Sequence, residues 1–339
     1  MAKSAIISIG AYVPPNILTN DDLSRMMDTN DEWIRTRTGI RQRHIALPEE
    51  TTATLSTEAG QAALRGAKMA AEELDWILLC TDTPEMWTPA TACFVQESLK
   101  ATRASAIDLT GGCAGFLQTL ELADGLAKTG KTVMVIGTEL LSRSMDWSDR
   151  NTAVLFGDGA GAVIVRPDAG EGIRLTHSRT FSDGSQTEIL QKPYGGTRNP
   201  IPPEIVASGG HHRIHMEGRK VFRQAVYRMA DAAHKVLQDT SMTPDDIDWV
   251  VPHQANQRIL DAVAGELKLP HQKVFSHVRN YANTGSASVV LALADMLMNG
   301  LIAPDQRLMS VAFGDGFSWG SALWDVKTVP PAEFLGRDR

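Results

Sequence analysis

The stretch Ala104-Ser-Ala-Ile-Asp-Leu-Thr-Gly-Gly-Cys-Ala-Gly-Phe-Leu117 sets the reading of this chain. Ala104 to Leu109 is a short apolar run suited to a buried strand. Gly111 and Gly112 break that pattern. Phe116, Leu117, Leu120, Ala123 and Ala127 then recur at helical steps, and Gly130 closes the helix. Cys113 is therefore expected at a strand-to-helix turn, at the helix N-terminus. Orphan N–H groups and the positive dipole end gather there. That position predicts a lowered thiol pKa and a nucleophilic thiolate. The paired glycines let the backbone approach a substrate closely. The commonest fate of a free cysteine is a small buried hydrophobe, so the functional reading draws on the rest of the chain.

Working outward, the same grammar occurs twice. Asp75-Trp76 opens an apolar strand, and so does Asp248-Trp249. Trp76 and Cys113 are 37 residues apart; Trp249 and Gly285, which also opens a helix, are 36 apart. Phe156-Gly-Asp-Gly159 feeds a strand, as does Phe313-Gly-Asp-Gly316. These glycines precede strands and not helices, so they are no dinucleotide fingerprint. Ordered motif pairs with matched spacing predict two related α/β halves in a layered architecture. The first half, 1–170, carries the cysteine; the second, 171–339, carries a histidine and an asparagine.

Between the motifs, Ala5 to Ile9 reads as a first strand and not a signal segment. Asn20 to Met27 reads as a helix capped by Asn20. Asp31-Glu-Trp-Ile-Arg-Thr-Arg-Thr-Gly-Ile40 has two readings, a solvated charged loop or an anion site with a stacking ring. Thr57 to Leu74, Ala90 to Leu99 and Val221 to Leu237 read as helices. Thr132 to Gly137 and Gln306 to Ala312 read as strands. Pro167 to Gly218, rich in proline and glycine, reads as an extended connection.

The chain has 339 residues, 43 % hydrophobic and 22 % charged, with net charge −7. That balance argues against a nucleic-acid partner. Cys80, Cys93 and Cys113 are too few for a disulfide framework, which predicts a reducing cytoplasm. No apolar run reaches the ~20 residues of a membrane helix. His211, His212 and His215 lack the companions of a metal site, so no metal is expected.

If the halves pair about a pseudo-twofold axis, Cys113, His253 and Asn283 meet at its centre. A satisfied core histidine and a simple N-cap are the plain readings of the last two. Their matched positions at element ends favour a joint role. A thiolate attacks a thioester and holds the acyl group. Backbone N–H groups near Cys113 and in the turn of Gly314, Asp315 and Gly316 would steady the oxyanion. His253 and Asn283, as neutral donors, would then stabilise an enolate. A neutral His253 requires an apolar pocket.

Six pieces carry a family resemblance over almost the whole length: Asp31 to Ile40, Gly112-Cys-Ala-Gly-Phe116, Phe156-Gly-Asp-Gly-Ala-Gly-Ala162, Val251-Pro-His-Gln-Ala-Asn256, Asn283-Thr-Gly-Ser-Ala-Ser288 and Phe317-Ser-Trp-Gly-Ser-Ala-Leu323. The chain resembles β-ketoacyl-acyl-carrier-protein synthase III, a condensing enzyme of the thiolase superfamily. The resemblance implies a duplicated thiolase fold, five-layered αβαβα, and a homodimer. It implies decarboxylating condensation of an acyl-CoA primer with malonyl-acyl-carrier protein, with coenzyme A thioester as substrate and no tightly bound cofactor. Cys113, His253 and Asn283 match its catalytic set. Trp33, Arg37 and Arg150 match coenzyme A contacts, and Phe222 and Ile259 walls of the pantetheine channel. Arg258 matches a carrier-docking residue, with Arg223 and Lys220 adding to a basic patch.

Three positions depart from the family pattern. Thr88 stands where some members have a bulky phenylalanine lent by the partner subunit to close the acyl pocket, which predicts room for a primer longer than acetyl. Gly265-Glu266 stands where some carry two lysines. Asp315 occupies a turn often made of glycine. Competing readings are an acyltransferase to an alcohol or amine, a papain-like cysteine hydrolase, and a catalytically dead scaffold. The hydrolase's local cysteine signature is absent, and an intact Cys-His-Asn set argues against a dead scaffold.

Overall fold

The computed structural model describes residues 3–207, 210 and 213–337. Ten strands form the main sheet system: β1 (Ser4–Tyr12), β2 (Trp76–Cys80), β3 (Ser105–Leu109), β4 (Val133–Leu140), β5 (Asp158–Pro167), β6 (Ile173–Ser182), β7 (Trp249–Pro252), β8 (Arg307–Gly314), β9 (Ser318–Val326) and β10 (Ala332–Leu335). Neighbours run β7-β8-β9-β6-β1-β5-β4-β2-β3, with β10 beside β1. β1 and β6 touch only at Ala5–Arg174 and Ile6–Ile173, whereas β1 and β5 pair from Ser4–Pro167 to Tyr12–Ala160. The path therefore divides there. The order β1-β5-β4-β2 recurs as β6-β9-β8-β7, which is the predicted duplication.

Helices α1 (Asn20–Met26), α2 (Asp31–Thr38), α3 (Thr52–Ala67), α4 (Thr91–Leu99), α5 (Gly115–Ala127), α6 (Gly218–Asp239), α7 (Gln257–Glu266) and α8 (Ser288–Met298) complete the frame. Strand residues alternate between two faces, and that alternation separates three cores. Ile164 and Met134 face α3 and α4 through Leu55, Ala59 and Val95. Val163 and Val135 face α5 and α8 through Phe116, Leu120 and Leu291, where Leu308 and Ala322 meet them from the other sheet. Met309 and Leu323 face α6 and α7 through Met229, Val236 and Val263. Two sheets between three helix layers make the five-layered αβαβα arrangement. α8 is buried along nearly its whole length, as a helix packed between two sheets must be.

Several sequence expectations are corrected. The helix expected over Thr57 to Leu74 begins at Thr52, capped by Thr51, and ends at Lys68 with φ 53. Asn20 does not cap α1: Thr19 accepts the Asp22 N–H, and Asn20 donates to Asp31 and to the Ile40 carbonyl. The arginine-rich piece at Asp31 is helix α2 and not a loop; Asn30 caps it and Gly39 ends it at φ 78. β3 is not buried. It is the last strand of its sheet, with Ile107 42 % exposed. The stretch Pro167 to Gly218 contains β6, a ten-residue strand paired with β9. Its residues lack clean alternation because part of one face lies open. Among the described residues no helix is long and apolar enough to cross a membrane.

Candidate active site

Cys113 stands in a single helical turn, Gly112–Ala114, between β3 and α5. The turn needs glycine at 112: φ is +58, and a Cβ would collide with Asp315 Oδ1. It also needs glycine at 314, where a Cβ would lie 2.5 Å from the Cys113 nitrogen. The second glycine turn is thereby pressed against the backbone that carries the nucleophile.

His253 follows β7, and its N–H donates to the Val311 carbonyl at 2.7 Å, tying it to β8. Its Nδ1 lies 2.7 Å from Ser288 Oγ at the start of α8. Burial pushes its pKa down to about 3, so the imidazole is neutral, as expected from sequence. Asn283 N–H donates to Leu155 O at 3.0 Å and its carbonyl accepts from Gly157 N–H at 2.9 Å. These bonds stitch the second half to the glycine turn of the first. Asn283 Oδ1 accepts the Gly285 N–H at 2.8 Å, which leaves the side-chain amide N–H groups as donors.

Cys113, His253 and Asn283 line one cavity of about 700 Å³. Arg37, Phe222, Arg223, Arg258, Ile259 and Asp315 share its wall. Trp33, Arg150, Lys220, Gly314 and Gly316 lie outside it. Two cations lie over Trp33: the Arg37 guanidinium lies 4.5 Å from its ring centroid and that of Arg150 5.1 Å. Arg150 also donates to the Asp28 carbonyl at 2.7 Å. Arg258 lies over the Phe222 ring at 5.5 Å. Lys220 is exposed and paired with Glu217 at 2.7 Å. Thr88 is exposed and off the wall, while its neighbour Trp87 contributes to it.

One expectation at the nucleophile is overturned. Removal from water, and then the carboxyls of Asp315, Asp82 and Glu139, push the Cys113 thiol well above its ordinary range. The helix terminus is only one contribution to the field at the sulfur, and these acidic side chains oppose it. Glu139 is itself pushed up to about 8, first by burial and then by Asp82.

Known proteins share this sequence pattern and fold. Residues 107–184 match the family model described as 3-oxoacyl-[acyl-carrier-protein (ACP)] synthase III, and residues 237–326 match that of its C-terminal part. A β-ketoacyl-[acyl-carrier-protein] synthase III of Caldanaerobacter subterraneus subsp. tengcongensis is 46 % identical over 323 residues, covering 94 % of this chain and 97 % of that relative. The chain belongs to the β-ketoacyl-acyl-carrier-protein synthase III family. The crystal structure of the Aquifex aeolicus synthase III is 40 % identical with a TM-score of 0.87, covering 95 % of this chain and 99 % of that one. The priming β-ketosynthase from the R1128 polyketide pathway is 33 % identical with a TM-score of 0.88, over 96 % and 97 % of the two chains. Family membership makes the protein an acyltransferase of the condensing type and its architecture the thiolase fold.

Within the synthase III frame, sequence reasoning missed four residues of the site. Ser288 lies in the same motif as Asn283, five residues on, and that proximity was the available signal. Asp82, Glu139 and Lys192 line the cavity from three separate segments, and nothing local marks them. Among the described residues no group of three or more His, Cys, Asp or Glu is placed to hold an ion. His211 and His212 lie outside the described residues, and His215 is exposed.

Proposed function

We propose that this chain catalyses decarboxylating Claisen condensation of an acyl-CoA primer with malonyl-acyl-carrier protein, giving a β-ketoacyl product. The observation that carries the reading is the convergence of Cys113, His253 and Asn283 on one cavity. Cys113 takes the acyl group as a thioester, and the thiol proton leaves with coenzyme A. His253 and Asn283 donate to the malonyl thioester oxygen as carbon dioxide departs. The enolate carbon then attacks the acyl-Cys113 carbonyl, and Cys113 is released. Backbone N–H groups at Cys113 and Asp315 serve as oxyanion donors.

Trp33, Arg37 and Arg150 receive the nucleotide end of coenzyme A, which the stacked guanidinium–indole arrangement supports. Phe222 and Ile259 flank the pantetheine arm. Arg258, Arg223 and Lys220, exposed on one face, suit an acidic carrier protein. The exposed edge of β3 suits a homodimer contact, since an unpaired strand edge is a template for pairing. The functional halves divide at 170/171. Three free cysteines fit a reducing cytoplasm. Thr88 lies off this chain's own cavity wall; closing the acyl pocket of a partner copy in a homodimer, it would leave room for a primer longer than acetyl.

Incubation with acyl-CoA thioesters of increasing length, read by intact mass, tests the first step. An acyl adduct is expected on the parent and none on Cys113→Ala. His253→Ala and Asn283→Ala are expected to keep the adduct and lose about 100-fold or more in condensation. Release of carbon dioxide with a β-ketoacyl product supports condensation. Transfer to an alcohol or amine without carbon dioxide would point instead to an acyltransferase of specialised metabolism. A primer range confined to acetyl would refute the reading of Thr88.

A further inference from the structure

The cavity carries a second cluster whose side chains the condensation does not use. Asp82 follows β2, Asp315 sits in the turn after β8, and Glu139 and Lys192 stand beside them. Their hydrogen bonds close within the protein. Glu139 accepts the Asp82 N–H at 3.1 Å, Thr83 Oγ1 at 3.0 Å and Ser286 Oγ at 3.0 Å. Lys192 Nζ donates to the Asp82 carbonyl at 2.6 Å. The Asp82 and Asp315 carboxyls converge on Gly112, and the Asp82 carboxyl, after burial, pushes the Asp315 pKa up. A network paired in this way acts on the protein and not on an acyl chain.

What it acts on is the loop of the nucleophile. The Gly112 N–H donates to Asp82 Oδ1 at 3.4 Å. Asp315 Oδ1 fills the place that a side chain at Gly112 would need. Both carboxyls thus bear on the residue before Cys113, and Gly314, before Asp315, packs on the Cys113 nitrogen. Two carboxyls brought together over one residue cannot both ionise without strong repulsion, so such pairs share a proton.

We propose that Asp82 and Asp315 form a proton-sharing carboxyl pair that positions the Cys113 loop and limits the negative charge beside the sulfur to one. Lys192 faces that single charge. Loss of the shared proton places a second charge next to the oxyanion that forms when the thioester carbonyl is attacked. In that step the bond from the acyl carbon to the coenzyme A sulfur breaks, a bond to the Cys113 sulfur forms, and the thiol proton ends on coenzyme A. Asp315, Asp82, Glu139 and Cys80 all act on the sulfur, and His253 stands in the same wall as a neutral group. The inference rests on Cys113 being the nucleophile. Its first readout needs no substrate, so it fails separately from the condensation.

The test is iodoacetamide alkylation of Cys113 across pH, located by peptide mapping, in the full-length parent, Asp82→Asn, Asp315→Asn and the double variant. Each single variant keeps one charge, so its profile is expected to stay near the parent's around neutral pH. The double variant carries none. Its Cys113 is expected to titrate about one unit lower and to react about tenfold faster at neutral pH. Two independent carboxylates would instead shift each single variant, with effects that add; that result overturns the shared proton. A double variant that superimposes on the parent overturns the charge role, whatever its melting temperature. If the double variant does not fold, single-turnover acylation by acyl-CoA decides. The parent rate is expected to fall at alkaline pH while Asp82→Asn holds its rate; an identical alkaline limb in both refutes the pair.

Discussion

Nδ1 of His253 lies 2.7 Å from Oγ of Ser288, across the junction between β7 and α8. That hydroxyl also accepts the Gln254 N–H at 3.4 Å. When that hydroxyl donates to Nδ1, the ring proton of the neutral imidazole sits on Nε2. A histidine held in this tautomer donates a hydrogen bond, which is what enolate stabilisation requires.

Ser288→Ala removes that constraint. A neutral hydrogen bond contributes about 1 kcal/mol, and each 1.36 kcal/mol is tenfold in rate. Condensation by Ser288→Ala is expected to fall about fivefold. Formation of the acyl adduct at Cys113, followed by intact mass, is expected to stay at the parent rate. Equal losses in both steps would mean that Ser288 supports the fold of the site and not the tautomer.

The stack of Arg37, Trp33 and Arg150 predicts an effect confined to binding. An exposed cation–π contact contributes about 0.5–1 kcal/mol. Trp33→Ala is expected to raise KM for acyl-CoA about fivefold and to leave kcat in place. The same variant assayed with an acyl-pantetheine lacking the nucleotide is expected to match the parent. A loss that persists with the short thioester would move the role of Trp33 away from the nucleotide.

Glu139 gives the stability of the fold a pH dependence of known sign. Burial, and then Asp82, raise its pKa from 4.5 to about 8, so the folded chain binds this proton more tightly than the unfolded chain does. Its contribution to stability is complete below pH 4.5 and is lost as pH rises through about 8. Glu139→Gln keeps the shape without the ionisation. Melting curves across that window are expected to decline less steeply for the variant. Parallel slopes for parent and variant would place the buried proton elsewhere.

Much of this protein was legible before any coordinates. Spacing between Trp76 and Cys113, repeated between Trp249 and Gly285, announced the duplication, and the strand order bears it out. Cys113, His253 and Asn283 stood out because each falls at the end of an element. Two misreadings had a local cause. β6 hides in a proline- and glycine-rich segment, and its pairing with β9 decides that it is a strand. β3 is apolar in sequence yet sits at the edge of its sheet.

By itself, the sequence determined the periodic elements, the repeat and the types of residue that meet at the centre, because those follow from spacing along the chain. Only the tertiary structure decided the state of the sulfur. The carboxyls of Asp82, Glu139 and Asp315 act on Cys113 through space, from segments far from it in sequence, and electrostatic fields in a desolvated cavity depend on distance and not on order along the chain.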